Sequence, residues 1–335
     1  MQVLVLDAPG PVADRPLRLA RVADPVPGPG ELLVRVGACA VCRTDLQLAE
    51  GEIETHRLPL VLGHQAVGRV EAVGPAVDPA SGWAVGDRVA VTWLAGACGT
   101  CPACRSDREN LCRTGTFTGW DRDGGFAGLM TVRADVAVPV PDAFTDVAAA
   151  PLLCGGVIGY RALRVSGIEP GGRLGLFGFG ASARLAIQVA RHWGCEVYAW
   201  ARDSRDRERA LALGAAWTGS HGDPSPVPLD SAVTFAPVGA VVVEALRALD
   251  RGGTVAINAI HLDAIPAFPY EDLWWERSIR SVANVTRRDA AEFLALAAAI
   301  GIETEPQPMP LAEGNAALLA IARGEISGAA VLVPG

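Results

Sequence analysis

Residues 173–183 read RLGLFGFGASA, and how they are read decides the architecture of a large part of the chain. The apolar run LGLF reads as a strand. It meets Gly178, Gly180 and Ala183 in a G-x-G-x-x-A pattern, and the helical segment ARLAIQVARHWG follows. Strand, tight turn and helix N-terminus in that order let glycine backbone approach a pyrophosphate, and the helix dipole favours the anion. The glycine pattern alone is weak evidence; its context carries the weight. EVYAWA (196–201), DSAVTFAP, GGTVAINAI and RSVANV follow, separated by helical stretches such as VVVEALRAL. This alternation predicts an α/β fold with a doubly wound parallel sheet over residues 155–288.

The end of the second strand selects the cofactor in such folds, where an Asp or Glu bonds a ribose 2′-hydroxyl. By spacing, that position is Ala201, followed by Arg202, with Arg205 and Arg207 nearby. An acid would repel a 2′-phosphate and an arginine would bind it. NADP(H) is therefore expected over NAD(H). Asp203 keeps the other reading open, since a small loop shift would bring it to the ribose.

The whole chain has 335 residues, enough for two domains. Half the residues are hydrophobic, and 38 glycines and 24 prolines indicate a globular, loop-rich protein. No long apolar run lacks a charge or a breaker, and the start MQVLVLDAPGPVADRP has no signal-peptide character. A cytoplasmic protein without membrane attachment is expected. In that compartment, clustered cysteines bind metal more often than they pair as disulfides. The net charge of −8 argues against a nucleic-acid partner.

Four of the eight cysteines lie in CGTCPACRSDRENLC, at Cys98, Cys101, Cys104 and Cys112. Short loops between four thiolates suit a closed zinc tetrahedron. Disulfides here would close very short loops and stabilise little. A structural zinc lobe over residues 95–113 is the expectation, with no open position for chemistry. A second, open set is scattered: Cys42 in AVCRTDLQ, His64 in GHQAVGRVEAVGPAV and Cys154 in APLLCGGVIGYRAL. Cys2His plus one open position is a known catalytic zinc set.

Together these features resemble the zinc-dependent medium-chain dehydrogenase/reductase family, the alcohol dehydrogenases. The resemblance rests on CRTD (42–45), G-H-x3-G-x5-G-x2-V (63–77), GDRV (86–89), the four-cysteine lobe, DGGFA (123–127) and the Cys154 segment. It implies a GroES-like, β-rich catalytic domain over 1–154. It also implies a Rossmann domain over 155–288 and a C-terminal segment, 289–335, returning to the first domain. It implies two Zn2+ per chain and a catalytic set of Cys42, His64 and Cys154. Thr44 matches the hydroxyl that passes on the substrate proton, and Asp45 the carboxylate that orients the ligand histidine. Arg43 and Asn258 match cofactor-contacting positions, and Trp93, Leu94 and Trp120 fall where the family lines its substrate pocket. Cys39 and Cys195 match no ligand position and read as packing residues.

Two departures stand out. The relay position often held by His is Gln47, which cannot titrate, leaving water, His56 or His261 as routes for the proton. The Glu that usually follows the ligand histidine is Gln65, which removes a negative charge near the metal and would favour carbonyl reduction. Trp274 and Trp275 lie where relatives meet a partner subunit, so a homo-oligomer, dimer or tetramer, is expected. The function these features imply is NADP(H)-preferring alcohol oxidation or aldehyde reduction on a small-molecule substrate. An NAD-linked primary alcohol dehydrogenase and a non-catalytic zinc- and nucleotide-binding protein are the alternatives.

Overall fold

The computed structural model describes residues 1–335, which divide into two compact units: Met1–Cys154 with Asn284–Gly335, and Gly155–Ala283. The second junction precedes the 288 expected from sequence. Thr286 caps the helix Arg287–Ile300 through a reciprocal box with Asp289, and that helix belongs to the first unit.

The first unit is built on a seven-stranded sheet. Its organising strand is Glu31–Ala40, ELLVRVGACA, whose alternate residues Leu32, Val34 and Val36 are buried. That period of two is what a strand with one covered face requires. Antiparallel neighbours are Ala66–Val73 on one side, and Leu129–Arg133 then Ala329–Val333 on the other. The chain's final strand thus returns to this sheet, where Leu332 pairs with Cys39. Leu4, Leu6, Leu46, Leu62, Val91, Phe126 and Leu332 share one core. Each fully buried aliphatic side chain of this kind contributes about 1.5–3 kcal/mol.

The second unit carries six parallel strands. Their spatial order is Trp217–Gly219, Glu196–Trp200, Arg173–Phe177, Leu229–Thr234, Leu249–Ile257 and Ser278–Ser281. Helices Gly155–Ser166 and Ala181–His192 pack so closely that a Cβ on Gly159 would lie 3.1 Å from the Ser182 carbonyl oxygen. Phe177 and Trp200, paired across adjacent strands, stack at 4.2 Å in the core. The helical stretch Asp146–Ser166 has the length and hydropathy of a membrane span, but 61% of its most apolar window is buried inside the protein.

Candidate functional site

The four close cysteines hang from a two-stranded ribbon in which Leu94 pairs with Phe117 and Gly96 with Thr116. Their sulfurs lie within 4.8 Å of one another, with Cys98–Cys104 at 3.8 Å and Cys101–Cys104 at 3.5 Å. Zinc with Zn–S bonds of about 2.3 Å places tetrahedral sulfurs about 3.8 Å apart, so the set fits the ion. Backbone amides of Thr100 and Cys101 bring the Cys98 thiol down to about 5, whereas burial pushes Cys104 up to about 12. Four thiolates this close repel one another, and a divalent cation offsets that repulsion. At the far side of the lobe, buried Glu109 accepts from the Arg287 backbone N–H at 2.7 Å and from its guanidinium at 3.3 Å. This clamp spans 178 residues and gives no sequence signal beyond one acid and one base.

The scattered set also comes together. Cys42 is the N-cap of the helix Arg43–Glu50, whose third residue, Asp45, accepts the Cys42 backbone N–H at 2.8 Å. The other carboxylate oxygen of Asp45 contacts His64 Nδ1 and the Gly63 N–H, each at 3.2 Å. That contact leaves His64 Nε2 as the donor atom. Gly63 is obligatory: its φ is +96°, and a Cβ would lie 2.5 Å from Phe126 and 2.9 Å from Cys39 Sγ. Cys39 is fully buried and acts in packing, and Cys195 is likewise buried. Cys154 closes the triangle with its sulfur 3.9 Å from that of Cys42. One donor atom from each of Cys42, His64 and Cys154 falls within 4.8 Å of the others, three donors where the lobe has four.

The electrostatics suit a cation. Burial works against a charged His64, but the Asp45 charge and hydrogen bond, with Cys42 beside it, raise it to about 10. The hydrogen bond from Cys154 holds Cys42 well below its usual range, and the same contact holds Cys154 well above. Thiols and imidazole bind zinc in their deprotonated forms, so metal uptake at this set must release protons.

Thr44 is buried, its hydroxyl 3.8 Å from Cys42 Sγ. Gln47 is buried and donates to the Glu52 carboxylate at 3.1 Å. Gln65 is buried, with its amide nitrogen 3.5 Å from the Ala40 carbonyl oxygen. Arg43 is exposed at the first turn of its helix. Of the two distant histidines, His56 pairs with Asp121 at 2.6 Å, and His261 is exposed in the second unit. Trp93 lies 6.0 Å from His64, ring centre to ring centre, and stacks with Trp120 at 5.5 Å. Leu94, the first residue of its strand, is buried in the hydrophobic core of the first unit. Phe117, which the sequence did not single out, completes the aromatic group at 5.0 Å from Trp93.

In the second unit, Gly178 has φ +93°, and a Cβ there would lie 2.8 Å from the Ala236 nitrogen. Gly180 caps the helix Ala181–His192, yet a Cβ there would meet no protein atom within 4 Å. Its missing side chain leaves open space at a helix N-terminus, the cradle a pyrophosphate needs. Ala183 is fully buried one helical turn on. Ala201 is buried at the end of the second strand, and Arg202 and Arg205 are exposed beyond it. Asp203 caps the helix Ser204–Ala212 by accepting the Arg205 N–H at 2.9 Å. Arg207 braces the loop through the carbonyls of Ala201 and Arg202, each at 2.8 Å. Asn258 follows the fifth strand, its backbone N–H bonded to the Thr234 carbonyl at 2.9 Å.

Residues 28–142 match the alcohol dehydrogenase GroES-like domain. A Mycobacterium tuberculosis protein named "Probable alcohol dehydrogenase AdhA" is 48% identical over 328 residues, covering 97% of this chain and 95% of its own. An alcohol dehydrogenase of Geobacillus stearothermophilus is 33% identical over 329 residues, covering 95% and 96%. Among solved structures, the cobalt- and zinc-bound thermostable alcohol dehydrogenase of Pyrobaculum aerophilum superposes with a TM-score of 0.89 at 26% identity, covering 100% of this chain and 99% of its own. Near full-length identity to these enzymes, over a fold that assembles one closed and one open metal-donor set, makes the chain a member of the zinc-dependent medium-chain alcohol dehydrogenase family.

Proposed function

We propose that the protein is a cytoplasmic, zinc-dependent alcohol dehydrogenase or aldehyde reductase that prefers NADP(H). The observation that carries the zinc assignment is the three-donor set of Cys42, His64 and Cys154 with the Thr44 hydroxyl beside it. A set one donor short of a closed tetrahedron retains a position for a substrate oxygen. Zinc held by these three residues would supply Lewis acidity that stabilises negative charge on that oxygen, and a nicotinamide cofactor would supply or accept the hydride.

The chain's own residues do the remainder. Asp45 fixes the His64 ring so that Nε2 is the atom presented to the metal. Thr44 Oγ1 hydrogen-bonds the substrate hydroxyl and carries its proton away during alcohol oxidation; carbonyl reduction runs the transfer in reverse. Gln47 is committed through its amide to Glu52 and takes up no proton, so water carries the proton onward. Gln65 leaves the site one carboxylate short, which favours the reductive direction. Arg43 belongs with the cofactor-binding residues, as do Gly178, Gly180, Ala183 and Asn258.

The NADP(H) preference rests on how Asp203 is used. Its carboxylate caps a helix, and no other acid stands at the end of the second strand, where Ala201 leads to exposed Arg202 and Arg205. An exposed guanidinium there is matched to a 2′-phosphate. Initial rates of aldehyde reduction with NADPH and NADH test this directly. Arg202→Ala should raise the KM for NADPH about tenfold or more while leaving NADH nearly unaffected. Equal effects on both cofactors, or a wild-type preference for NADH, would assign the ribose to Asp203 instead.

The gathering of six of the eight cysteines into two metal-donor sets supports the cytoplasmic reading. Self-association is proposed from half-exposed Trp274 and Trp275 beside the edge strand Ser278–Ser281, and mass by light scattering measures it.

A further inference from the structure

The GDRV motif (86–89) meets the segment that ends at Cys154 inside the first unit. Arg88 opens the strand Arg88–Val91, and its side chain is only 13% exposed. Its guanidinium serves one short stretch of chain. Nε and Nη2 both donate to Asp146 Oδ1, at 3.2 and 2.6 Å. Nη2 also donates to the Phe144 carbonyl at 2.8 Å, and Nη1 to the Pro141 carbonyl at 3.2 Å. The other carboxylate oxygen of Asp146 rests over Gly37, where a Cβ would overlap it. Gly37 falls at a register irregularity between Val36 and Ala38, so the notch that receives Asp146 is built into the strand Glu31–Ala40.

The three metal donors reach the open set along three arms. The strand that holds Gly37 ends at Ala40 and leads into Cys42. The strand Ala66–Val73 starts just after His64 and pairs with Arg88–Val91, Ala66 opposite Val91. The third arm is four residues of α-helix, Asp146–Ala149, and four of 3-10 helix, Ala150–Leu153, ending at Cys154. Its last five residues before Cys154 are buried, and Thr304 Oγ1 steadies it by donating to the Ala148 carbonyl at 2.9 Å. Asp146 is where the third arm is pinned to the other two. A helical rod passes a shift at one end to the other, here over about 12 Å.

Resting on the zinc reading above, we infer that Asp146 is a positioning residue for the open metal set. Clamped by Arg88 and seated against Gly37, it fixes where the Cys154 thiolate stands relative to Cys42 and His64. The planar guanidinium fork, bonded to three acceptors, makes the clamp directional as well as strong. Position matters because three donors hold zinc only when each lies about 2.0–2.3 Å from one point.

The test reads metal rather than turnover, in full-length protein. Zinc-loaded samples are titrated with a chelator, and Co2+-loaded samples report the thiolate-to-metal absorption; Cys42→Ser supplies the spectrum of the lobe alone. Asp146→Ala should lower zinc affinity at the open set about tenfold or more and shift its Co2+ bands, with the lobe's ion unmoved. Gly37→Ala pushes on the same carboxylate from the other side and should shift those bands too. Arg88→Ala with Asp146→Ala should cost no more than the worse single change, because both act through one contact. Glu109→Gln separates positioning from stability: it loosens a different clamp of the same unit and should lower the denaturant midpoint with the open set's bands unmoved. Unchanged bands and affinity in Asp146→Ala and Gly37→Ala overturn the inference, as does an equal loss of zinc in Glu109→Gln at equal loss of stability. Should Asp146→Ala not fold, Asp146→Asn and Gly37→Ala decide by the same readouts. Wild-type protein with no Co2+ bands beyond those of the lobe fails the zinc reading, and the thiols then decide this one. Diamide should link Cys42 to Cys154, whose sulfurs lie 3.9 Å apart, more slowly in Asp146→Ala than in wild type. Equal linking rates, mapped by mass spectrometry, overturn the inference in that case.

Discussion

The lobe and the open site use the same chemistry for opposite ends. The lobe gathers four thiols from fifteen residues of chain into a set that fits a cation. The open site gathers three donors, two of them 112 residues apart, one short of a closed tetrahedron. A closed set stabilises the fold and an open set binds substrate, and the difference is one ligand. The two are also physically joined, since the ribbon that carries the lobe runs from Trp93 to Thr118, with the Thr118 N–H bonded to the Trp93 carbonyl at 2.8 Å.

Breaking each set should give separate phenotypes. Cys42→Ser should lower kcat/KM about a thousandfold or more, since the Lewis acid's stabilisation of transition-state charge is worth several kcal/mol. Zinc should fall from two ions per chain to one while the melting temperature changes little. Cys101→Ser should also remove one zinc, but its principal effect should be a lower melting temperature, by about 5–10 °C, because structural zinc is folding free energy. If the two variants proved interchangeable in both readouts, the distinction between the sets would collapse.

Smaller changes sharpen the contrast. Asp45→Asn keeps the side-chain shape and removes the charge facing His64 Nδ1, so zinc affinity at the open site should drop about 10–100-fold with the lobe unaffected. Metal content after graded chelation separates the two. Acid should weaken the same site, because a cation must displace the proton that His64 holds up to about 10. Zinc affinity therefore rises with pH from neutrality, and proton release appears in calorimetry run in buffers of different ionisation enthalpy. Glu109→Gln weakens the clamp between the lobe and Arg287 by about 1–3 kcal/mol, visible in denaturant midpoint, with zinc still two per chain. Gln65→Glu should shift the ratio of forward to reverse rates by less than about tenfold and change little else.

What could be read from sequence follows from distance along the chain. The lobe was legible because two or three residues between thiols nearly dictate how far apart the sulfurs lie. The doubly wound sheet was legible because each strand–turn–helix unit carries its own periodicity and its own glycines. Cys42, His64 and Cys154 were legible only by resemblance, since nothing local to any of them marks a ligand.

The tertiary structure decided the rest. It employed Asp203 as a helix cap and sent Leu94 into the core while bringing Phe117 to the aromatic group. It joined Glu109 to Arg287 across 178 residues and bound Gln47 to Glu52. It also turned His56 from a candidate relay into the outer plate of a stack. In each case the residue type permits several roles. Partners from distant segments, set by sheet register and core packing, select one of them, and no local stretch of chain contains that information.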